Sequence, residues 1–409
     1  MSNQRFYESS DDAGLMVEEH SSADAFSALE PEWRELETTS GVPFASFDWA
    51  QAWWQHLRGE KLGVRDSLSL RTIRGSDGKL VAVAPMVISR RPSVGPICVR
   101  QLQFIGADPN ITELRGVVAA PGFRAPAYRA LVAHALENPE AWDTMQLLGV
   151  PPELDLQSLA EGLAASPDFE WGRETSEFQL PLPDSWETFR SGLPRNIKES
   201  LRKCYNSLKR AGLGFRLDVL TEAGEVEQAL ERFYQLHAAR AARSDTVLHA
   251  NVFEAPESKR FLNDVCERFA RRGNLRIFQL IVGERVAAMR IGFVVGQTLY
   301  LYFSGYEPEF AQYGVMTTTV AEAIKYAIAG GLEHVHLSPG NDVSKTRWRP
   351  TVSATRQATL VAPSARAQLT HRMYRGALNA IDTVPGLKRA TSFLTRGAHS
   401  LGTLQAPSH

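Results

Sequence analysis

Residues 298–331 read TLYLYFSGYEPEFAQYGVMTTTVAEAIKYAIAGG. Thr298 to Ser304 is an apolar, aromatic-rich run of the kind a buried strand needs. GYEPEFAQYGVMT then breaks the pattern, a helix follows from Val315 to Ala329, and Gly330-Gly331 ends it. A strand leading through a glycine-bearing loop into a helix aims free backbone N–H groups and the positive helix end at one point, which suits a pyrophosphate. Gly314 allows close approach there, and Thr317, Thr318 and Thr319 are small enough to leave room. A purely structural loop of the same composition is an equally good reading of this stretch alone.

Working outward, the spacing predicts helices over Glu225 to Arg243 and Ser258 to Arg271, then strands over Leu275 to Val282 and Arg285 to Val295, with turns at Gly283-Glu284 and Gly296-Gln297. His334 to Leu337 reads as a short buried strand. The first half repeats the order more faintly. A helix at Phe47 to Leu57 precedes extended runs at Ser67 to Arg74, Leu80 to Ser89 and Cys98 to Ile105, then a helix at Ala125 to Leu136 and a strand at Thr144 to Leu148. Each half therefore reads as hairpin, third strand, loop, helix, strand, and an internal duplication is expected.

The bulk composition bounds this further. A chain of 409 residues, 44% hydrophobic, exceeds one typical core, so two domains are expected. A formal net charge of -1 supplies no global field for DNA, so contact with a polyanion must be local. Cys98, Cys204 and Cys266 are widely spaced and show neither a disulfide framework nor a zinc motif, which points to a reducing, cytoplasmic setting and no metal. The first thirty residues are acidic, unlike a signal peptide, and no run is apolar enough to span a membrane.

Two basic segments stand out. Between the halves, PRNIKESLRKCYNSLKRAG sets Ile197, Leu201, Tyr205 and Leu208 on one face against Arg202, Lys203, Lys209 and Arg210. Beyond Ser364 the tail is basic too, broken at Pro385-Gly386 into two short helical pieces, and could touch a membrane peripherally. The expected organisation is an acidic, mobile segment at 1–40, a lobe at 41–180, a basic connecting helix at 181–213, a second lobe at 214–363 and a basic tail at 364–409.

The whole order resembles the GNAT acyl-CoA N-acyltransferases, and most closely the CelD-like, FemAB-related acetyltransferases that carry two GNAT-like lobes. The resemblance runs from about Phe44 to Trp348. It is carried by FASFDWAQAWWQHL, LVAVAPMVISRR, RQLQFIG, PRNIKESLRKCYNSLKRAG, FYQLHAARAAR, VGERVAAMRIGFVVGQTLYLYFSGYEPEFAQYGV and SPGNDVSKTRW. Three positions depart from the pattern: Met316 stands where the donor loop would have its second glycine, Ser344 rather than Tyr precedes Lys345, and His336 is at a place often held by Asp.

The resemblance implies an α/β (α+β) fold of tandem lobes, each a mixed, mostly antiparallel sheet flanked by helices. It implies an acyl-CoA, commonly acetyl-CoA, as co-substrate with no bound cofactor, and an amine acceptor, small or glycan-linked. The acceptor would attack the thioester between two splayed strands, beside Met289 to Gly292 and Leu301 to Ser304. Gln312, Tyr313, Gly314, Val315, Met316 and Thr317 would hold the donor.

His237, Tyr306, Glu307 and Lys345 are the candidate catalytic groups, with Arg240 and Trp348 for substrate. Each has an ordinary alternative. His237 lies on the apolar helix face and could be a core histidine, and Arg240 could be a surface ion pair. Tyr306 and Glu307 could cap a strand, and Trp348 could simply fill the core. Two other functions remain open: an aminoacyltransferase using aminoacyl-tRNA, which the near-neutral charge disfavours, and a non-catalytic partner of a polysaccharide-synthesis assembly.

Overall fold

The computed structural model of the chain describes residues 5–7, 14–61, 63–92, 98–108, 110–161, 167–245, 249–340 and 343–373. The chain divides into two compact units, Met1–Thr175 with Thr355–His409, and Ser176–Ala354.

In the first unit, Leu15–His20, Leu70–Arg74, Leu80–Ala84 and Val118–Ala119 form one antiparallel sheet. Val64–Leu68, Met86–Pro92, Cys98–Phe104, Thr144–Val150 and residues 356–361 of the C-terminal strand form another. Each of the two long strands expected here is split and shared between sheets. The breaks fall at Ser69 and at Pro85, which has no N–H to give to a ladder.

The expected mobile segment at 1–40 is corrected over its described part. Leu15 and Val17 point into the core from a paired strand, Phe26, Trp33 and Leu36 do so from two helices and Leu29 from the junction between them, and Glu19, Asp24, Glu32 and Glu35 lie exposed on this ordered structure. Residues 365–373 of the basic tail are helical; its remaining cations, with Pro385-Gly386, lie outside the described residues.

In the second unit the strands are β1 (Asp168–Pro181, its end from Ser176), β2 (Phe215–Leu220), β3 (Leu275–Val282), β4 (Arg285–Val295), β5 (Thr298–Tyr306) and β6 (His334–His336). Their order is β2-β3-β4-β5-β6-β1, antiparallel throughout except for the β5/β6 pair. The helices are α1 (Trp186–Gly192), α2 (Arg195–Arg210), α3 (Val226–Ala241), α4 (Pro256–Arg271), α5 (Val315–Ala329) and the short α6 (Val343–Thr346). The expected repeat is present in both units. Cys98–Phe104 runs through a loop and helix Arg124–Glu137 into the parallel Thr144–Val150, as β5 runs through α5 into β6.

One sheet face is covered by α2 and α5, where Ile197, Leu201, Val320, Ala321 and Ile324 pack on Phe278, Leu299 and Leu301. Burial of each large apolar side chain there contributes about 1.5–3 kcal/mol. The segment expected as a connector is therefore part of the second unit's core. The opposite face carries α3 and α4, with Phe233 and Phe303 against Phe253, and Phe269 against Phe293.

α3 lies so close to β5 that a Cβ at Gly305 would stand 2.4 Å from the His237 backbone nitrogen. Backbone cannot yield as a side chain can, so Gly305→Ala is expected to cost about 1–3 kcal/mol, read as a lower urea midpoint. An unchanged midpoint would mean that α3 does not hold this position.

Candidate functional site

The two edges of β5 behave differently. Toward β4 it is paired along its length, with a bulge: Arg290 faces Ser304 and Gly292 faces Leu301, so Ile291 opposes both Tyr302 and Phe303. Toward β6 it is paired only from Thr298 to Tyr300. Beyond that β6 ends, Leu337 N–H turns to the Phe178 carbonyl, and β5 runs on to Tyr306 with a divergent neighbour. The splay thus lies between β5 and β6. Leu301 to Ser304 are beside it as expected, but Met289 to Gly292 are not, because β3 and β5 flank β4 on its two edges. Ser338 holds the mouth of the gap. It adopts a left-handed φ of 67°, strained for a non-glycine residue, and its hydroxyl donates to the Leu301 carbonyl at 2.6 Å.

α3 brings His237 and Arg240 together on Ser304. The Arg240 guanidinium donates to Ser304 Oγ at 2.8 Å and to His249 Nε2 at 2.7 Å. Arginine can only donate, so His249 Nε2 is the acceptor in this contact. His237 Nδ1 lies 3.2 Å from the Ser304 carbonyl, so Nδ1 carries the proton and Nε2 the lone pair. Phe233, Phe253 and Phe303 box this ring, and burial, more than the Arg240 charge, pushes its pKa below the ordinary value.

Tyr306 and Glu307 lie further along and are engaged separately. Glu307 accepts from Arg232 at 2.6 Å, and Tyr306 packs in a cluster with Leu208, Phe310 and Val315 while Arg243 faces its ring.

At the loop, Gly314 is left-handed (φ 67°, ψ 34°), the conformation that lets the chain turn into α5. The amides of Val315, Met316 and Thr317 precede the first intrahelical bond, which Thr318 N–H makes to Gly314. Gln312 donates to the Glu309 carbonyl, Val315 is buried, and Met316 packs beside it. Thr319 bonds back to Val315, so its hydroxyl serves the helix.

Lys345 and Trp348 have local work. Lys345 Nζ donates to the carbonyls of Pro339 at 2.5 Å and Gly340 at 3.2 Å, clamping the turn after β6, and Trp348 is a core residue.

Arg347, beside Trp348, carries no signal of its own in the sequence. Arg347 donates to Ser200 Oγ of α2 at 2.7 Å and to Thr317 Oγ1 at 3.4 Å. Cys204, one turn after Ser200, packs against Gly314 so closely that a Cβ there would meet its Sγ at 2.5 Å. The available signal was Ser200, Cys204 and Ser207 at i, i+4 and i+7, a small polar edge between the apolar stripe and the basic face.

His336, which the sequence singles out only for standing where Asp is common, lies at the end of β6. Its Nδ1 accepts from Ser338 N–H at 3.2 Å, so Nε2 bears the proton and faces Glu177 at 3.7 Å, with the ring stacked on Tyr300. Burial raises the Tyr300 hydroxyl to about 12, so it stays protonated. Among the described residues no cluster of three His, Cys, Asp or Glu side chains could hold a metal, and no helix is long and apolar enough to cross a membrane.

Residues 195–347 match the family model described as an acetyltransferase (GNAT) domain. Within these limits the chain is similar to a GNAT domain. Its limits include α2, consistent with the packing of that helix into the domain core. No curated protein matches the chain.

Among solved structures the chain is similar to FemX, at 11% identity and TM-score 0.54, over 83% of this chain and 98% of that one. That likeness is one of fold. Also similar are a tandem GNAT protein from the clavulanic acid biosynthesis pathway (13% identity, TM-score 0.42, covering 85% and 98%) and the C-terminal domain of a putative lysylphosphatidylglycerol synthetase from Agrobacterium fabrum (9%, 0.47, covering 86% and 97%). The GNAT fold supports an acyltransferase.

The depressed pKa of His237 has a stability consequence. The unfolded chain takes up a proton near the ordinary value of 6.5, and the folded ring resists it. Stability is therefore full above that pH and declines as pH falls through it. His20 and His134 act in the same sense, and Glu37, raised to about 7 by burial, in the opposite one. Comparing wild type with His237→Gln isolates the one ring: the loss of urea midpoint between about pH 7.5 and pH 5.5 is expected to be smaller in the variant. An equal loss would place His237 in contact with solvent.

Proposed function

We propose that the GNAT domain transfers an acyl group, in the simplest case acetyl, from an acyl-CoA to an amine on a small or glycan-linked acceptor. The observation that carries this is the edge of β5 left unpaired by β6 beyond Tyr300, leading through the 3-10 turn Pro308–Tyr313 to Gly314 and the first turn of α5. An extended thioester arm can lie along such an edge, and its diphosphate can end at the helix start. The CelD-like resemblance of the sequence supports the glycan-linked acceptor, and the three free cysteines support a cytoplasmic setting.

In this reading the amine attacks the thioester carbonyl, the C–N bond forms, and the C–S bond breaks as the tetrahedral intermediate collapses. Backbone N–H groups at the splayed edge receive the developing oxyanion. His237, neutral and with its lone pair on Nε2, is the candidate base for the ammonium proton. Tyr306 is the candidate donor to the leaving thiolate. Arg240 orients the site through Ser304, and Lys345 fixes the turn that forms the far wall of the splay.

Isothermal calorimetry with acetyl-CoA tests the donor. Binding is expected for the wild type, with a rise in thermal midpoint at excess ligand. Gly314→Trp, which cannot adopt the turn or clear Cys204, is expected to lose both. Absence of acetyl-CoA binding in a folded wild type would remove this reading. Salt-dependent binding of aminoacyl-tRNA in its place would select the second one, which the exposed basic face of α2 favours.

A further inference from the structure

The pairing of the last strands sorts their side chains onto two faces. Leu180 of β1, Val335 of β6 and Leu299 of β5 stand side by side, and all three enter the core beneath α2 and α5. Side chains alternate along a strand, so the next row, Gln179, His336 and Tyr300, faces the other way, toward the layer that holds α3 and His237. Glu177, two residues before Gln179, shares that face. The backbone on either side of it receives Leu337 N–H at Phe178 and Gly340 N–H at Ser176, so Glu177 stands on the wall of the gap across from β5.

His336 and Glu177 form an incomplete pair. Ser338 N–H occupies His336 Nδ1, so Nε2 carries a proton and can only donate. That nitrogen is buried, and among the described residues it has no hydrogen-bond partner. Glu177 Oε2 stands 3.7 Å from it, beyond hydrogen-bond reach. The imidazole is held in place, stacked on Tyr300 with 6% of the side chain exposed, whereas Glu177 is 22% exposed, so the pair opens to solvent on the carboxylate side.

A single atom about 2.8 Å from each partner bridges such a separation and satisfies both. It has to accept from Nε2–H and donate to the carboxylate. A hydroxyl does both. An ammonium has no lone pair to accept with, and a carbonyl or ether oxygen has no proton to give.

We propose that Glu177 and His336 form a subsite for a hydroxyl group of the acceptor, so that the amine acylated here belongs to an amino alcohol or aminopolyol. The two ring nitrogens of His336 then have separate tasks: Nδ1 keeps the turn at Ser338, and Nε2 meets the ligand. The Glu177 charge also attracts the ammonium form in which a free amine arrives. The subsite rests on the acyl-CoA reading for the fate of that amine, but recognition of the hydroxyl needs no acyl donor.

Two probes that differ by one hydroxyl, trans-2-aminocyclohexanol and cyclohexylamine, test this. Their binding to the full-length protein is followed by ligand-observed NMR titration without acetyl-CoA. The wild type is expected to bind the amino alcohol about tenfold more tightly. His336→Asn separates the two ends of the ring, because an Asn side-chain oxygen can still accept from the amide two residues on, while nothing remains at the Nε2 position. It is expected to bring the two affinities together and to leave cyclohexylamine binding unchanged. Glu177→Ala is expected to remove the preference and to weaken both amines.

Equal affinity for the two amines in the wild type, or binding of neither, overturns the subsite. So does an undiminished preference in a folded His336→Asn or Glu177→Ala. Acetyl-CoA calorimetry reports on the donor separately: a hydroxyl preference without acetyl-CoA binding keeps the subsite and removes the acyl-CoA reading, and acetyl-CoA binding with no preference does the reverse.

Discussion

Three residue pairs between parallel strands, Thr298 with His334, Leu299 with Val335 and Tyr300 with His336, set the geometry on which the second unit's site depends. A longer ladder would close the edge of β5, and a shorter one would leave α5 unanchored. The two residues after His336 fix the length. Leu337 turns its N–H to Phe178, and Ser338 enters the left-handed region and sends its hydroxyl back to Leu301. That bond satisfies one carbonyl of the opened edge and leaves the stretch beyond it to the bulge, where Ser304 is held by α3. A strained residue is tolerated because the hydrogen bond and the His336 acceptor both favour that conformation.

The order of elements was legible because the hydrophobic period changes cleanly from strand to helix along 275–337, and because Gly283, Gly296, Gly314 and Gly331 all have the positive φ that punctuation by glycine implies. Tertiary exchanges were not legible. The switch between sheets at Ser69 and Pro85 leaves each run apolar and extended on both sides of the break, so periodicity continues through it. The strand Leu15–His20 alternates apolar with charged residues, but its glutamates hide it within an acidic segment. Residues 356–361 pair with Thr144–Val150 of the first unit, a contact that no local pattern encodes.

The candidate site shows the same division at finer scale. Gly314 could be singled out because a backbone conformation demands a residue type. Lys345, Arg347 and Trp348 could not be sorted, since on one short segment they clamp a turn, reach a distant helix and fill the core. The Arg347 to Ser200 bond joins positions 147 apart in sequence, which no local pattern signals. Sequence showed α2 as amphipathic and basic, with two faces. The structure shows a third, the small polar edge turned toward Gly314, and that edge makes α2 part of the site instead of a linker.

His237, buried, and Arg240, partly buried, meet on Ser304. Arg240 sits in the last turn of α3, where the helix dipole favours a cation, so its charge is stabilised before any ligand arrives. The same charge, one turn from His237, acts with burial to keep that ring neutral. Burial among three aromatic rings and the nearby guanidinium outweigh the backbone hydrogen bonds of Ser304 and Ala250, which favour the protonated ring. The Ser304 carbonyl fixes the tautomer, which places the basic lone pair on the nitrogen opposite the strand. The core-histidine reading and the general-base reading therefore describe one arrangement: the packing that makes His237 ordinary is also what would let it accept a proton at neutral pH without first having to lose one.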